Sequence, residues 1–162
     1  MNINNVYELI KDKPNKDISI GYQTVNFIND NDLIDAQNAY KERGILGVIN
    51  ALLGRGWKKN WIVIATDGYF GDPIFIDINN ISLPVFIAAH GEGKWEPILI
   101  ASTYSKFIDA LNLLETISKG RETPVDFEKN PISELKKNEI LDEIRENNQN
   151  VNMSFWESWF EI

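Results

Sequence analysis

Apolar positions along the chain change their spacing from one stretch to the next, and the changes mark out its elements. Near the start, Val6, Leu9 and Ile10 stand at spacings that fit one face of a short helix, stopped near Pro14 by the restriction a proline places on its predecessor. SIGYQTVNFIN (19–29) alternates weakly and reads as a strand. From Asp32 the spacing turns helical: Leu33, Ala36 and Tyr40 share a face and Asp32 offers an N-cap. Gly44, Gly47, Gly54 and Gly56 then argue against one continuous helix.

The centre breaks into short strand-like segments. WIVIA (61–65), IFIDI (74–78), LPVFIAA (83–89) and ILIA (98–101) are short runs rich in β-branched or apolar residues. TDGYFGDP (66–73), the pair Asn79 and Asn80 with Ser82, and HGEGKWEP (90–97) separate them. Connections this short cannot hold crossover helices, so antiparallel pairing of neighbours is the economical reading. After Ser102 the period becomes 3.6. Phe107, Ala110, Leu111 and Leu114 predict a helix over 103–118 against the sheet, with Gly120 as a stop. Asn130 and Pro131 resemble an N-cap and first helical position, and Ile132, Leu135, Ile140 and Ile144 give the helix that follows an apolar side. In the tail NMSFWESWFEI, Ser154 and Glu157 fit a capping box, and the aromatic residues predict a helical segment, about 130–162, docked on the rest. The pattern therefore predicts a single α+β domain spanning 1–162, with a central antiparallel or mixed β-sheet and helices packed around it.

Composition sharpens this reading. With 162 residues, 43% of them hydrophobic, the chain holds enough apolar mass to order a core without staples. It has no cysteine, which excludes disulfides, thiolate nucleophiles and cysteine metal clusters and is compatible with a reducing, cytoplasmic setting. No stretch approaches the roughly 18 to 20 apolar residues needed to cross a bilayer, and MNINNVYELIKDKPNK does not read as a signal peptide. The formal charge is −8, with 8 basic and 10 acidic residues in 1–81 against 8 and 14 in 82–162. Such a field opposes nucleic acid and favours a basic partner, although it also serves plain solubility.

Candidate chemistry is sparse. His90, the sole histidine, could act as a general base, but no complete catalytic set accompanies it and a hydrogen bond within its own loop is the simpler role. Asp67, Asp72 and Asp77 are the most suggestive carboxylates, and an oxygen-rich metal site would need the turn to bring Asp67 and Asp72 close to His90. Gly68, Gly71 and Pro73 instead suggest a tight turn whose Asp side chains cap free amides. GYFGDP and HGEGKW do not match phosphate-cradling glycine loops. Lys58 and Lys59 beside Trp57 and Trp61 make too small a basic patch for nucleic acid on so acidic a chain. Five tryptophans predict aromatic anchors in the core, at an interface, or both.

WIVIATDGYFGDPIFIDI followed by LPVFIAAHGEGKWEPILIASTYSKFIDAL resembles the bacterial branch of the SMI1/KNR4, or SUKH, family. The likeness rests on an ordered set: Trp61, Gly71, Asp72, Pro73, Asp77, Pro84, Val85, His90, Gly91, Gly93 and Trp95, then Ser102 and Phe107 at the entry to the next helix. It spans about residues 33–115, with a less specific match at Ala36–Tyr40, and lacks the N-terminal Pro-x-x-Tyr and Asn-Gly-Gly features of more typical members. The resemblance implies an α+β domain, no enzyme activity and no shared cofactor; no metal is expected either, on the tight-turn reading of the Asp residues. It implies a role among immunity proteins that neutralise toxins, or a regulatory role such as that of the fungal cell-wall relative. On this reading the chain is a protein-binding module for a basic toxin domain. Asp67, Tyr69, Glu92 and Glu96 on the turns are candidate contacts, with Trp156 and Trp159 as candidate anchors. A regulatory or structural domain without a toxin partner is the first alternative, and a metal-assisted hydrolase the second.

Overall fold

In the computed structural model the described residues are 17–40, 52–90 and 94–161, together with Val6, Glu8 and Lys13. The expected stop at Pro14, the helix positions Leu9 and Ile10, Gly44, Gly47 and residues 91–93 lie outside them.

Six strands form one sheet in chain order: β1 (Ile18–Ile20), β2 (Gln23–Phe27), β3 (Trp61–Asp67), β4 (Pro73–Asp77), β5 (Val85–Ile87) and β6 (Ile98–Ala101), every neighbouring pair antiparallel. The stretch expected as one weak strand is a hairpin. Gly21, at φ 59°, takes the left-handed conformation that the turn needs. Added bulk there would also meet Phe127 Cδ1 at 2.8 Å.

Alternation sorts β3 between two faces. Ile62 and Ile64 join the main core, and Trp61 and Val63 a second cluster, until an irregularity between Val63 and Ala65 shifts the register and turns Ala65 to the main core as well. Ile74, Ile76, Val85 and Ile100 line the same main face as Ile62. Against it pack α2 (Tyr104–Ser118) through Phe107, Leu111 and Leu114, and α4 (Glu134–Asn147) through Ile140, Leu141 and Ile144. Helix α2 touches both outer strands, β1 and β6, so the sheet curls around it. The result is an α+β fold with a curled antiparallel sheet and helices packed around it.

Local chemistry departs from expectation at several helix ends. Thr103 caps α2, its hydroxyl accepting from Lys106 N. A short α3 (Pro124–Lys129), not anticipated, is capped by Thr123 with Pro124 in its first turn, so Asn130 ends this helix rather than starting the next. Ser133 caps α4. Leu135 faces solvent at 72% exposure; it falls off the stripe made by Ile140, Leu141 and Ile144. Ahead of α1 (Leu33–Tyr40) runs a 3-10 turn, Asp30–Asp32, so Asp32 is not a cap. Ser154 and Glu157 form no capping box at α5 (Ser154–Glu157). Instead Asn152 Oδ1 accepts from the amide and hydroxyl of Ser154.

Two side-chain arrangements hold the sheet where backbone pairing stops. Gln37 on α1, 6% exposed, donates from Nε2 to Leu33 O (2.9 Å) and Val63 O (3.0 Å), while its Oε1 accepts from Val63 N (2.8 Å). One glutamine amide thus serves both backbone groups of a residue lying beyond the end of the β2–β3 pairing, which stops at Ala65. On the outer edge of β6, Leu99 O accepts from Asn152 N (2.9 Å), Ile100 O from Trp156 Nε1 (2.8 Å), and Ser102 N donates to Asn148 Oδ1 (3.1 Å).

Candidate functional site

The turn from β3 to β4 builds one rim of the sheet. Asp67, last residue of β3, is 6% exposed, and its carboxylate accepts from Tyr69 N (3.0 Å) and Phe70 N (3.2 Å). Its backbone amide donates to Asp72 O (2.9 Å), and its carbonyl accepts from Gly71 N (2.9 Å). Gly71, at φ 77°, supplies the left-handed step. At Gly68 the chain passes so close to β2 that an added Cβ would lie 2.6 Å from Thr24 Cβ. Tied down on both sides, the turn presents its bulky side chains outward. Tyr69 is 55% and Phe70 66% exposed, their rings edge-to-face at 4.4 Å. Tyr22 from the first hairpin, 52% exposed, meets Tyr69 at 5.8 Å.

Asp72 reaches the strand-end loop after β5. Its Oδ1 accepts from His90 N (2.9 Å) and lies 2.6 Å from His90 Nδ1. A carboxylate only accepts, so Nδ1 carries the proton and Nε2 is left as the ring's other nitrogen. The amides of the tight turn are therefore capped by Asp67, whereas Asp72 fastens the turn to the neighbouring loop. Asp67→Ala should accordingly cost about 1 to 3 kcal/mol, the range for hydrogen bonds to a charged group. Asp72→Ala should cost less, about 0.5 to 2 kcal/mol, by analogy with loss of a cap. Urea midpoints of the two variants check the order; a larger loss for Asp72→Ala would reverse the assignment.

Asp77 does not join this group. It ends β4, roughly 13 Å of extended strand from Pro73, where its Oδ1 accepts from Asn60 Nδ2 (2.5 Å) and Asn79 N (2.9 Å). Among the described residues, no three acidic or histidine side chains gather in a metal-binding arrangement.

Behind the rim, on the second face of the sheet, the aromatic residues condense. Trp61 and Phe75 lie 4.8 Å apart, Trp57 packs on both at 5.3 and 4.8 Å, and Trp95 meets Trp57 at 5.0 Å and Tyr40 at 6.0 Å. Trp95 is half-buried and its amide donates to Arg55 O (2.9 Å), so it joins this cluster. Lys58 stands over the Trp61 ring at 4.9 Å. Burial, and then the Asp72 carboxylate, raise the Tyr40 phenol above its usual range.

Two expected anchors are core residues. Trp156 is 0% and Trp159 1% exposed, because α5 and the turn after it fold onto the same face as α2. Glu96 is exposed and pairs with Lys94 at 2.5 Å; Gly91 and Glu92 lie outside the described residues. The turn's Tyr69 is where a contact residue was expected. Phe70 joins it as its neighbour in the turn, whereas Tyr22 carries no local signal beyond its type, since only the β2–β3 register brings the two turns together.

Beside this aromatic rim runs a groove of about 240 Å³. Phe70, Ile87, Ile98 and Phe155 line it together with Asp67 and Asp72, and Gln23, Ser154 and Ser158 complete its polar edge. A larger one, about 470 Å³, lies between α2 and α4, bordered by Lys106, Asp109, Asn112, Thr116 and Glu143. No helix among the described residues is long and apolar enough to cross a membrane. No family model, no curated protein and no solved structure matches the chain.

Proposed function

We propose that the chain is a non-enzymatic protein-binding module of the immunity type, acting in the cytoplasm on a basic toxin domain. The observation that carries this reading is the exposed aromatic trio Tyr22, Tyr69 and Phe70, with Tyr69 and Phe70 on a turn that Asp67 and Asp72 fasten and Tyr22 against Tyr69. Large rings held in one place lose little freedom on binding, and aromatic residues dominate the energetics of many interfaces. The formal charge of −8 adds a long-range attraction for a cationic partner. The resemblance of residues 33–115 to the SMI1/KNR4 family points the same way.

The test is affinity capture from the native source, then calorimetry and stopped-flow association with each captured protein. The double variant Tyr69→Ser, Phe70→Ser should weaken binding by about 30-fold or more, the loss of one strong hot spot. Its urea midpoint should stay nearly unchanged, as is usual for exposed positions. Association should slow as salt rises. Unchanged affinity in the double variant would refute this surface.

A second reading rests on the Asp72–His90 pair, whose geometry would orient a general base with Nε2 outward from a 54% exposed side chain. Among the described residues the ring's hydrogen-bond partner is Asp72 alone, with no nucleophile attached. Turnover of a hydrolysable substrate that disappears in His90→Ala would establish this reading in place of the first.

A further inference from the structure

The groove beside the rim deepens the protein-binding reading, and its own role rests on that reading. Its volume of about 240 Å³ falls below the roughly 300 Å³ at which pockets for small-molecule ligands begin. That is a space for one long side chain. Its walls divide into two chemistries. Phe70, Ile87, Ile98 and Phe155 give an apolar lining, and Asp67 and Asp72 supply negative charge. No lysine, arginine or histidine is among its described lining residues. The two carboxylates differ in what they can offer. Each oxygen of Asp67 accepts from a turn amide and the residue is 6% exposed, so it contributes mainly field. Asp72 holds His90 through Oδ1 alone, which leaves Oδ2 without a partner among the described residues.

We infer that this groove seats a single arginine side chain of the protein partner. The arginine stem matches the aliphatic walls at Ile87 and Ile98, and the guanidinium matches the rings of Phe70 and Phe155 and the vacant oxygen of Asp72. A planar, weakly hydrated guanidinium stacks on aromatic faces and binds carboxylates with directed N–H groups, whereas an ammonium is strongly hydrated and does neither as well. The exposed rings of Tyr22, Tyr69 and Phe70 continue outward from the groove and offer area to the rest of a protein surface rather than to a small molecule.

The probes are N-acetyl-arginine amide, N-acetyl-lysine amide and N-acetyl-norleucine amide, titrated at millimolar concentration into the full chain and followed by amide chemical shifts. The arginine probe should shift Phe70, Asp72, Ile98 and Phe155 saturably, with the lysine probe weaker by about threefold or more and the norleucine probe without saturation. Ile98→Lys places a resident cation at a 41% exposed position of the groove and should abolish the arginine response while the urea midpoint holds. Equal responses to arginine and norleucine, or none to arginine, would overturn the inference. So would free arginine binding about tenfold or more tighter than the capped probe, since that marks a small-molecule site. A captured partner that binds Ile98→Lys normally but not the Tyr69, Phe70 double variant would sink the arginine seat alone. One that binds both variants normally would sink the surface itself.

Discussion

Trp156→Ala should be the most damaging single substitution in the described core. The ring is fully buried between α2 and the sheet, 5.9 Å from Phe107 and 4.9 Å from Phe155, and its indole N–H donates to Ile100 O at 2.8 Å. Truncating a buried tryptophan costs about 3 to 5 kcal/mol through lost burial and the cavity left behind. Leaving a buried carbonyl without its donor adds about 1 to 3 kcal/mol. Because a domain's whole margin is about 5 to 15 kcal/mol, Trp156→Ala should be largely unfolded or close to it at 37 °C. Trp156→Phe keeps an aromatic ring in the site but removes the N–H and part of the indole's volume, so its loss should be smaller than that of the alanine variant while still including the hydrogen bond. Far-UV circular dichroism with urea unfolding of both variants gives the answer. Comparable losses would mean that the hydrogen bond, not the packing, dominates.

Gln37 carries the second large effect, in a residue type that rarely matters so much. Its amide serves three backbone groups, the N–H and C=O of Val63 and the C=O of Leu33. Gln37→Leu keeps a side chain of similar length on a buried site but strands the Val63 pair, and should cost about 2 to 5 kcal/mol as two unsatisfied buried groups. An apolar replacement would normally be mild at a buried helix position, so the sign itself is informative. Hydrogen exchange at the Val63 amide should accelerate more than at Ile64. A wild-type urea midpoint in Gln37→Leu would show that water can take the place of the amide.

The central strands were legible as short apolar, β-branched runs bounded by turn residues, and the helix after them by its 3.6-residue repeat. The expected strand at 98–101 and the helix at 103–118 agree with β6 and with α2 to within a residue. What escaped was set by single residues acting at a distance. Gly21 breaks an apparent strand into a hairpin, and Gln37 looks like any polar helix residue until its partner 26 positions on is known. Leu135 stands close enough to a helical stripe to be counted in it, yet the helix turns it outward. At the rim, a turn within residues 66–73 was readable from composition; it falls on residues 68–70, and Pro73 already belongs to β4. The division of labour between Asp67 and Asp72 was not, because it depends on where the loop bearing His90 returns.

The outer edge of β6 has a consequence for the order in which the chain can mature. Its carbonyls at Leu99 and Ile100 are covered by Asn152 and Trp156, groups made some fifty residues later. During synthesis the meander β3–β6 can pair before those residues exist, and until they arrive β6 presents an open strand edge of the kind that templates pairing between chains. A ribosome-stalled chain ending before Asn148 should therefore be a chaperone client, and emergence of the stretch from Asn148 to Trp156 the step that releases it.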